Sequence, residues 1–292
     1  TTVGILSQNY NRPGPGVPKN APKKKGIARY FEMLFRDFST LWKASMLLSI
    51  CMIPMLVVIF LLFAPLFDYF VSGNVASLLP LSMILIFILL IGVSGMLLGP
   101  ALCACHSVIL KIVRDEPGFF WHDFKKAWRS CWKQSYLISA VFSMLIALDF
   151  VSLCLFFGGS HQNATDGLSS TLLLGCIVLS LVIFFGVWFI SCLQIVFMNI
   201  PTAGVLKNSL LLLFGRLPRM VPATLIHIVF LLACFLWMPL APIILLIGVP
   251  GLIMLWTDML AWPPMDEVFK LEEQLKELRE KELSGEKSSI SD

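Results

Sequence analysis

Residues 80–110 read PLSMILIFILLIGVSGMLLGPALCACHSVIL and contain no Asp, Glu, Lys or Arg. A helix needs about 20 consecutive apolar residues to cross the hydrocarbon core of a bilayer, and this stretch is longer. Three further charge-free runs occupy residues 44–67, 167–206 and 220–257. Only 14% of the 292 residues are charged, whereas soluble domains average about 25%. The sequence therefore predicts an all-α, polytopic membrane protein.

The distribution of basic residues predicts the topology of this membrane domain, which we place at residues 27–264. We expect six spans, arranged as three hairpins, at residues 45–67, 80–104, 136–157, 170–198, 220–238 and 242–262. All 22 Lys and Arg residues lie in the segments 1–43, 111–133, 207–219 and 270–287. Because short loops rich in Lys and Arg stay on the cytoplasmic side, both termini are expected in the cytoplasm.

Each predicted hairpin follows an amphipathic segment, at residues 27–43, 117–134 and 207–219. Apolar residues recur at helical spacing in the first segment, with aromatic rings at Phe31, Phe35, Phe38 and Trp42. The second has one aromatic and one basic face, formed by Phe120, Trp121, Phe124, Trp128 and Trp132 and by Lys125, Lys126 and Arg129. This composition is typical of a helix in the headgroup layer, so we expect contact with the anionic cytoplasmic leaflet.

Two of these segments match in register, which suggests parallel internal repeats. Residues 42–45 read WKAS and residues 132–135 read WKQS, and a fainter third copy ends near Arg219. The alternative is that any membrane protein places aromatic and basic residues before its spans.

The two ends of the chain are polar. Residues 265–283 predict a charged cytoplasmic helix, whereas residues 1–26 and 284–292 are expected to be disordered. We expect the charged helix to dock on the cytoplasmic face or on a partner.

No strong enzyme signature is present: the chain has no Walker A, HExxH, GxSxG or dinucleotide-binding motif. We therefore expect no catalytic residue, metal site or cofactor. The net charge of +4 follows from the topology and does not indicate a nucleic-acid partner. Polar residues inside spans are costly and are the better candidates for function, namely Asp149, Gln194, Asn199, His227 and Asp258. They could form helix–helix hydrogen bonds or a proton or ion relay.

The order of several segments resembles the YesL family of bacterial integral membrane proteins, a domain of unknown function. The similarity covers roughly residues 28–270 and rests on LGPALCACHSVILKIVRDEPGFFWHDFKKAWRSCWKQS (98–135), on IPTAGVLKNSLLLLFGRLPRM (200–220) and on a final Pro-rich span. Genes of that family often lie near carbohydrate ABC importers. The resemblance implies a bacterial plasma-membrane protein linked to sugar uptake, and it supplies no catalytic residues.

Two functions remain open at this point. The first is a non-enzymatic accessory or regulatory protein that engages subunits of a carbohydrate ABC transporter. The alternative is an autonomous small-solute transporter or channel, with Asp149, His227 and Asp258 near its path.

Overall fold

The computed structural model describes residues 25–74, 79–160, 167–198, 200–237 and 248–284. Within these residues the chain forms nine α-helices and no strand. The helices are α1 (Ile27–Arg36), α2 (Phe38–Ser72), α3 (Leu81–Val113), α4 (Phe120–Ser160), α5 (Gly167–Phe197), α6 (Thr202–Gly215), α7 (Leu217–Leu236), α8 (Val249–Phe269) and α9 (Leu271–Ser284).

Five stretches are long and apolar enough to cross a membrane, namely Phe38–Leu62, Leu81–Val113, Phe120–Gly158, Ser169–Phe197 and Leu217–Cys234. The expected all-helical, multi-pass membrane protein is confirmed at this level. Helix α8 is not among the five, because Asp258, Asp266 and three prolines lower its hydropathy. The first part of the predicted sixth span, residues 242–247, lies outside the described residues.

Helix α3 lies at the centre of the bundle and packs against α2, α4, α5 and α8. Further contacts join α2 to α4, α4 to α5, α5 to α7, α7 to α8, and α8 to α2. The closest seam joins α3 to α4, where Gly92, Gly95 and Gly99 face Met144, Ser143 and the backbone of Ser135. Small residues at this spacing let two membrane helices approach closely, which strengthens their van der Waals contact.

Helix α3 continues without a break through Gly99 and Pro100 to Val113. Proline removes one backbone hydrogen bond, and such a gap is tolerated when a neighbouring helix packs against it. Here Gly99 brings α4 into that position.

The amphipathic segments differ from their expected boundaries. Only residues 27–36 form a separate helix, and α2 starts at Phe38. Residues 120–134 form the first turns of the spanning helix α4. On these turns, Phe124, Ala127 and Cys131 are buried against other parts of the protein and do not face lipid. The third segment is divided between α6 and α7 at Arg216.

Ion pairs fix α1 to one end of the bundle. We call this end, which carries α1, the α3–α4 turn, the α6–α7 turn and α9, the charged end. Arg29 Nη2 and Arg36 Nη1 lie 2.5 and 2.7 Å from the two carboxylate oxygens of Asp115. Burial alone would lower the pKa of Arg36, but hydrogen bonds to Asp115 and Asp37 outweigh it and raise that pKa. Asp115 itself has a φ of +58°, a conformation that Asp and Asn tolerate better than most residues.

The variant Asp115→Asn should loosen α1 without unfolding the bundle. Asparagine tolerates the same backbone conformation but removes the charge that both arginines share. Because partly exposed pairs contribute only about 0.2–1 kcal/mol each, global stability should fall by about 1 kcal/mol or less. We expect faster hydrogen–deuterium exchange in residues 27–36. Glu273→Gln, which removes the exposed pair with Lys270, is the control. Unchanged exchange in α1 would show that these pairs do not hold it.

Candidate functional site

A histidine and an aspartate meet in the interior of the bundle. His106 Nδ1 on α3 lies 2.8 Å from Asp258 Oδ1 on α8. The two side chains are 1% and 0% exposed. The second carboxylate oxygen, Asp258 Oδ2, is buried and has no hydrogen-bond partner among the described residues. A charge far from water is costly unless it is paired, so the two residues stabilise each other.

A serine on α2 holds the start of α8 in place for this contact. The first turn of a helix leaves backbone N–H groups without intrahelical partners, and a side-chain oxygen often accepts from one of them. Gly248, at the start of α8, has no side chain to do so. The hydroxyl of Ser45 accepts from Gly251 N–H at 2.7 Å and donates to Gly248 O at 2.7 Å. The α2 helix thus supplies the cap that α8 lacks.

Two further helices complete the site. The Phe189 ring on α5 lies edge-on to His106, with centroids 5.2 Å apart. Its centroid is 5.4 Å from that of His227 on α7. His227 Nδ1 is 3.1 Å from the backbone oxygen of Ala223, and because a carbonyl only accepts, Nδ1 carries the proton. The neutral His227 ring therefore presents Nε2 as an acceptor. Helices α3, α5, α7 and α8 all converge here.

A cavity of about 620 Å³ opens beside this cluster. Its described lining includes both histidines and is otherwise almost entirely apolar, with side chains from α2, α3, α4, α5, α7 and α8. Ser143 also lines it, but its hydroxyl donates to the backbone oxygen of Ala140 at 3.0 Å. The two imidazoles are therefore the polar groups best placed to meet a molecule in this cavity.

The structure brings two of the five predicted polar residues together and separates the others. Asp258 and His227 belong to the cluster described above. Asp149 on α4 lies beside Ser180 on α5. Ser180 is about 13 Å along α5 from Phe189, so Asp149 is separate from the cluster. The Gln194 amide is fully buried, and within the described part of the chain neither its nitrogen nor its oxygen has a hydrogen-bond partner. Asn199 lies outside the described residues.

The predicted interface residues divide by exposure. The exposed ones are Phe31, Phe35, Phe38, Trp42, Trp121, Trp132, Lys125, Lys126 and Arg129, whereas Phe124 is buried and Phe120 and Trp128 are half-buried. The aromatic rings of α1 and early α2 therefore point outward, whereas much of the aromatic face of α4 packs against protein.

His106 was not among the polar residues predicted from the sequence, although its side chain forms the hydrogen bond to Asp258. The available signal was its position in the charge-free run 80–110, where an ionisable side chain is as unusual as in any other span. The sequence could not show that α8 would bring Asp258 to it.

The cluster can hold or pass a proton, since imidazole and carboxylate exchange one over a hydrogen-bond distance. Transfer of that proton between Nδ1 and Oδ1 leaves the net charge of the pair unchanged, which suits a site away from water. In the described part of the chain, no group of three or more His, Cys, Asp or Glu side chains could hold a metal ion.

Residues 78–153 match the model of a protein family described as "Protein of unknown function, DUF624". The match covers α3 and most of α4, including His106 but not Asp258. No curated protein and no solved structure matches the chain. The similarity therefore supports a relationship to a family without an assigned activity, over about a quarter of the sequence.

Proposed function

We propose that the chain is a YesL-like protein of the bacterial plasma membrane that crosses the bilayer six times, with both termini in the cytoplasm. In this topology the charged end faces the cytoplasm and its anionic lipid. The proposal is supported by the position of the described Lys and Arg residues, which lie in segments at that end. The ion pair Arg36–Asp115 connects two of these segments, and Arg216–Glu267 connects a third to the end of α8.

The proposed three parallel repeats, of one hairpin each, are supported by a close contact between two helices that recurs from hairpin to hairpin. A Cβ atom added to Gly251 or Gly99 would lie closer than 3.0 Å to the hydroxyl of Ser45 or Ser139, respectively. At Gly186 the added atom would lie 3.1 Å from Thr224 Oγ1. The hydroxyl residues lie on α2, α4 and α7, the first helices of the proposed hairpins. The glycines lie on α8, α3 and α5, which are the second helices of the three proposed hairpins.

The topology predicts opposite accessibility for two exposed positions. Lys125 lies near the charged end, and Asn74 follows the opposite end of α2. In intact bacterial cells, a membrane-impermeant maleimide should label Asn74→Cys but not Lys125→Cys, and permeabilisation should expose the latter. The wild-type chain measures the background from its own cysteines. Labelling of both positions in intact cells would contradict the cytoplasmic placement of the charged end.

The function we propose is that of a non-enzymatic accessory protein that engages the spanning subunits of a carbohydrate ABC transporter. One observation carries the proposal: α1 presents Phe31 and Phe35 outward while its arginines fix it to Asp115. Phe38 and Trp42 extend this exposed surface onto α2. A helix that contacts only lipid gains little from a fixed orientation. A protein interface, in contrast, depends on aromatic rings that are held in one orientation.

Affinity purification from native membranes in mild detergent, with mass spectrometry, tests this function. Spanning subunits of a carbohydrate importer should be enriched about tenfold over a mock purification. The double variant Phe31→Ser/Phe35→Ser should reduce their recovery severalfold, because exposed aromatic residues dominate most interfaces. Val71→Ser, which changes an exposed residue at the opposite end of α2, should leave recovery unchanged. Recovery of the chain alone would contradict the accessory role.

A second function is favoured by the His106–Asp258 pair beside the cavity, namely autonomous transport of a small solute or ion. Ionisable side chains inside membrane proteins often mark such pathways. In reconstituted vesicles, Asp258→Asn should then reduce flux at least tenfold, whereas Glu267→Gln at the exposed surface should not. Equal flux in wild type and Asp258→Asn for every solute tested would eliminate this role for Asp258.

A further inference from the structure

We propose that the cavity beside His106 and His227 binds a single-chain, uncharged membrane lipid that carries a hydroxyl group. This inference concerns a lipid ligand and does not depend on the proposed partner. The volume of about 620 Å³ lies within the range of roughly 300–1,000 Å³ that small-molecule sites occupy.

The shape of the cavity fits a chain better than a compact solute. Ile91, Leu98, Leu102 and His106 all line it from α3, and the first and last of them are about 22 Å apart along the helix. On α2 the lining extends from Leu48 to Leu61, about 20 Å. A sphere of the same volume would be only about 11 Å across. The cavity is therefore elongated, and it runs along the helices.

The long wall formed by α2 connects the cavity with the bilayer. Ile53, Val57, Phe60 and Leu61 line the cavity, and each side chain is 54% exposed, so the cavity is open along this wall. In a membrane protein, such a surface meets lipid chains rather than water. A membrane lipid can thus reach the cavity sideways, past these four side chains.

The polar end of the cavity selects the head of the ligand. The described lining contains no Lys or Arg, so a phosphate or carboxylate would be buried without a counter-charge. His227 Nδ1 is committed to Ala223, which leaves Nε2 as an acceptor for an O–H or N–H donor. Asp258 occupies Nδ1 of His106. A hydroxyl satisfies His227 and carries no charge, whereas an apolar chain fills the rest.

The test uses the full-length protein in phospholipid nanodiscs and 1-hexadecanol with a photoreactive diazirine in its chain. Illumination should attach the probe to cavity-lining residues near Val57 on α2 and Phe150 on α4. Excess unlabelled 1-hexadecanol should reduce this labelling about tenfold. Hexadecanoate, which has the same chain and a negative charge, should compete at least tenfold more weakly, because one unmet polar interaction changes affinity by about that factor.

Three variants locate the site. Ala147→Phe should fill the cavity and abolish competable labelling, while thermal stability stays equal or rises. His227→Phe keeps a ring of similar shape but removes the acceptor, so 1-hexadecanol should bind about tenfold more weakly. Val178→Phe, on the lipid-facing side of α5, should change nothing.

Labelling that 1-hexadecanol does not displace would overturn the proposal. Labelling that spreads over exposed surfaces, such as the one around residue 178, would also overturn it, because both patterns indicate contact with bulk lipid. Equal competition by hexadecanoate would overturn the uncharged head. If Ala147→Phe does not fold, His227→Phe decides, since unchanged affinity in that variant removes the hydroxyl contact.

Discussion

Asp258→Leu should destabilise the membrane domain by about 3 kcal/mol. Leucine branches at Cγ as aspartate does, although it is larger, and it leaves His106 Nδ1 without its partner in a region with almost no exposure. Removal of one member of a buried pair typically costs about 3–5 kcal/mol, and a neutral imidazole places the effect at the lower end. The measurement is SDS-driven unfolding in mixed micelles, followed by circular dichroism.

Two matched variants distinguish the loss of the His106–Asp258 pair from a general destabilising effect of substitutions in α8. Asp258→Asn retains an oxygen that accepts from His106, so it should cost about 1 kcal/mol. Glu267→Gln removes a charge from the same helix at an exposed position and should stay within about 0.5 kcal/mol of wild type. If Asp258→Leu were as stable as Glu267→Gln, the pair would contribute nothing to the fold.

Gly99→Ala should be the second strongly destabilising change, at about 3 kcal/mol, the upper end of the usual range for overpacking. The added methyl group would overlap the backbone carbonyl of Ser135 on α4, and a backbone atom cannot move aside as a flexible side chain can. Helices α3 and α4 must then separate along their seam, and overpacking of this kind typically costs about 1–3 kcal/mol.

Gly175→Ala is the control for that substitution. A Cβ atom at Gly175 on α5 meets nothing within 4 Å. Because alanine is the better helix former by about 0.5–1 kcal/mol, this variant should be as stable as wild type or more so. Comparable midpoints of SDS unfolding for Gly99→Ala and Gly175→Ala would contradict the close approach of α3 and α4.

Hydropathy was enough to predict the five long apolar helices, because the requirement for about 20 apolar residues depends on local sequence alone. The segment around Phe124 shows the limit of that reasoning. Its aromatic and basic faces predicted a helix resting on lipid, yet Phe124 is buried and the helix continues into the span. A ring suits a protein neighbour as well as a headgroup layer, so composition alone could not distinguish them.

The candidate site needed tertiary information. Asp258 was recognisable as a costly residue in apolar surroundings, but its partner lies far away in the sequence. His106 is 152 positions from Asp258, and Ser45 is 206 positions from the Gly251 N–H that it caps. Neither contact follows a helical period, because each depends on how α8 packs against α2 and α3.

A double-mutant cycle on His106→Phe and Asp258→Leu tests most directly whether this pair joins α3 to α8. Each single variant should be destabilised, because it leaves a buried polar group alone. The double variant should be more stable, by at least about 2 kcal/mol, than the sum of the two single-variant losses predicts. The reason is that replacing both partners by apolar residues is often nearly neutral. The account predicts that coupling. Additive losses, within about 0.5 kcal/mol, would contradict the contact between His106 and Asp258.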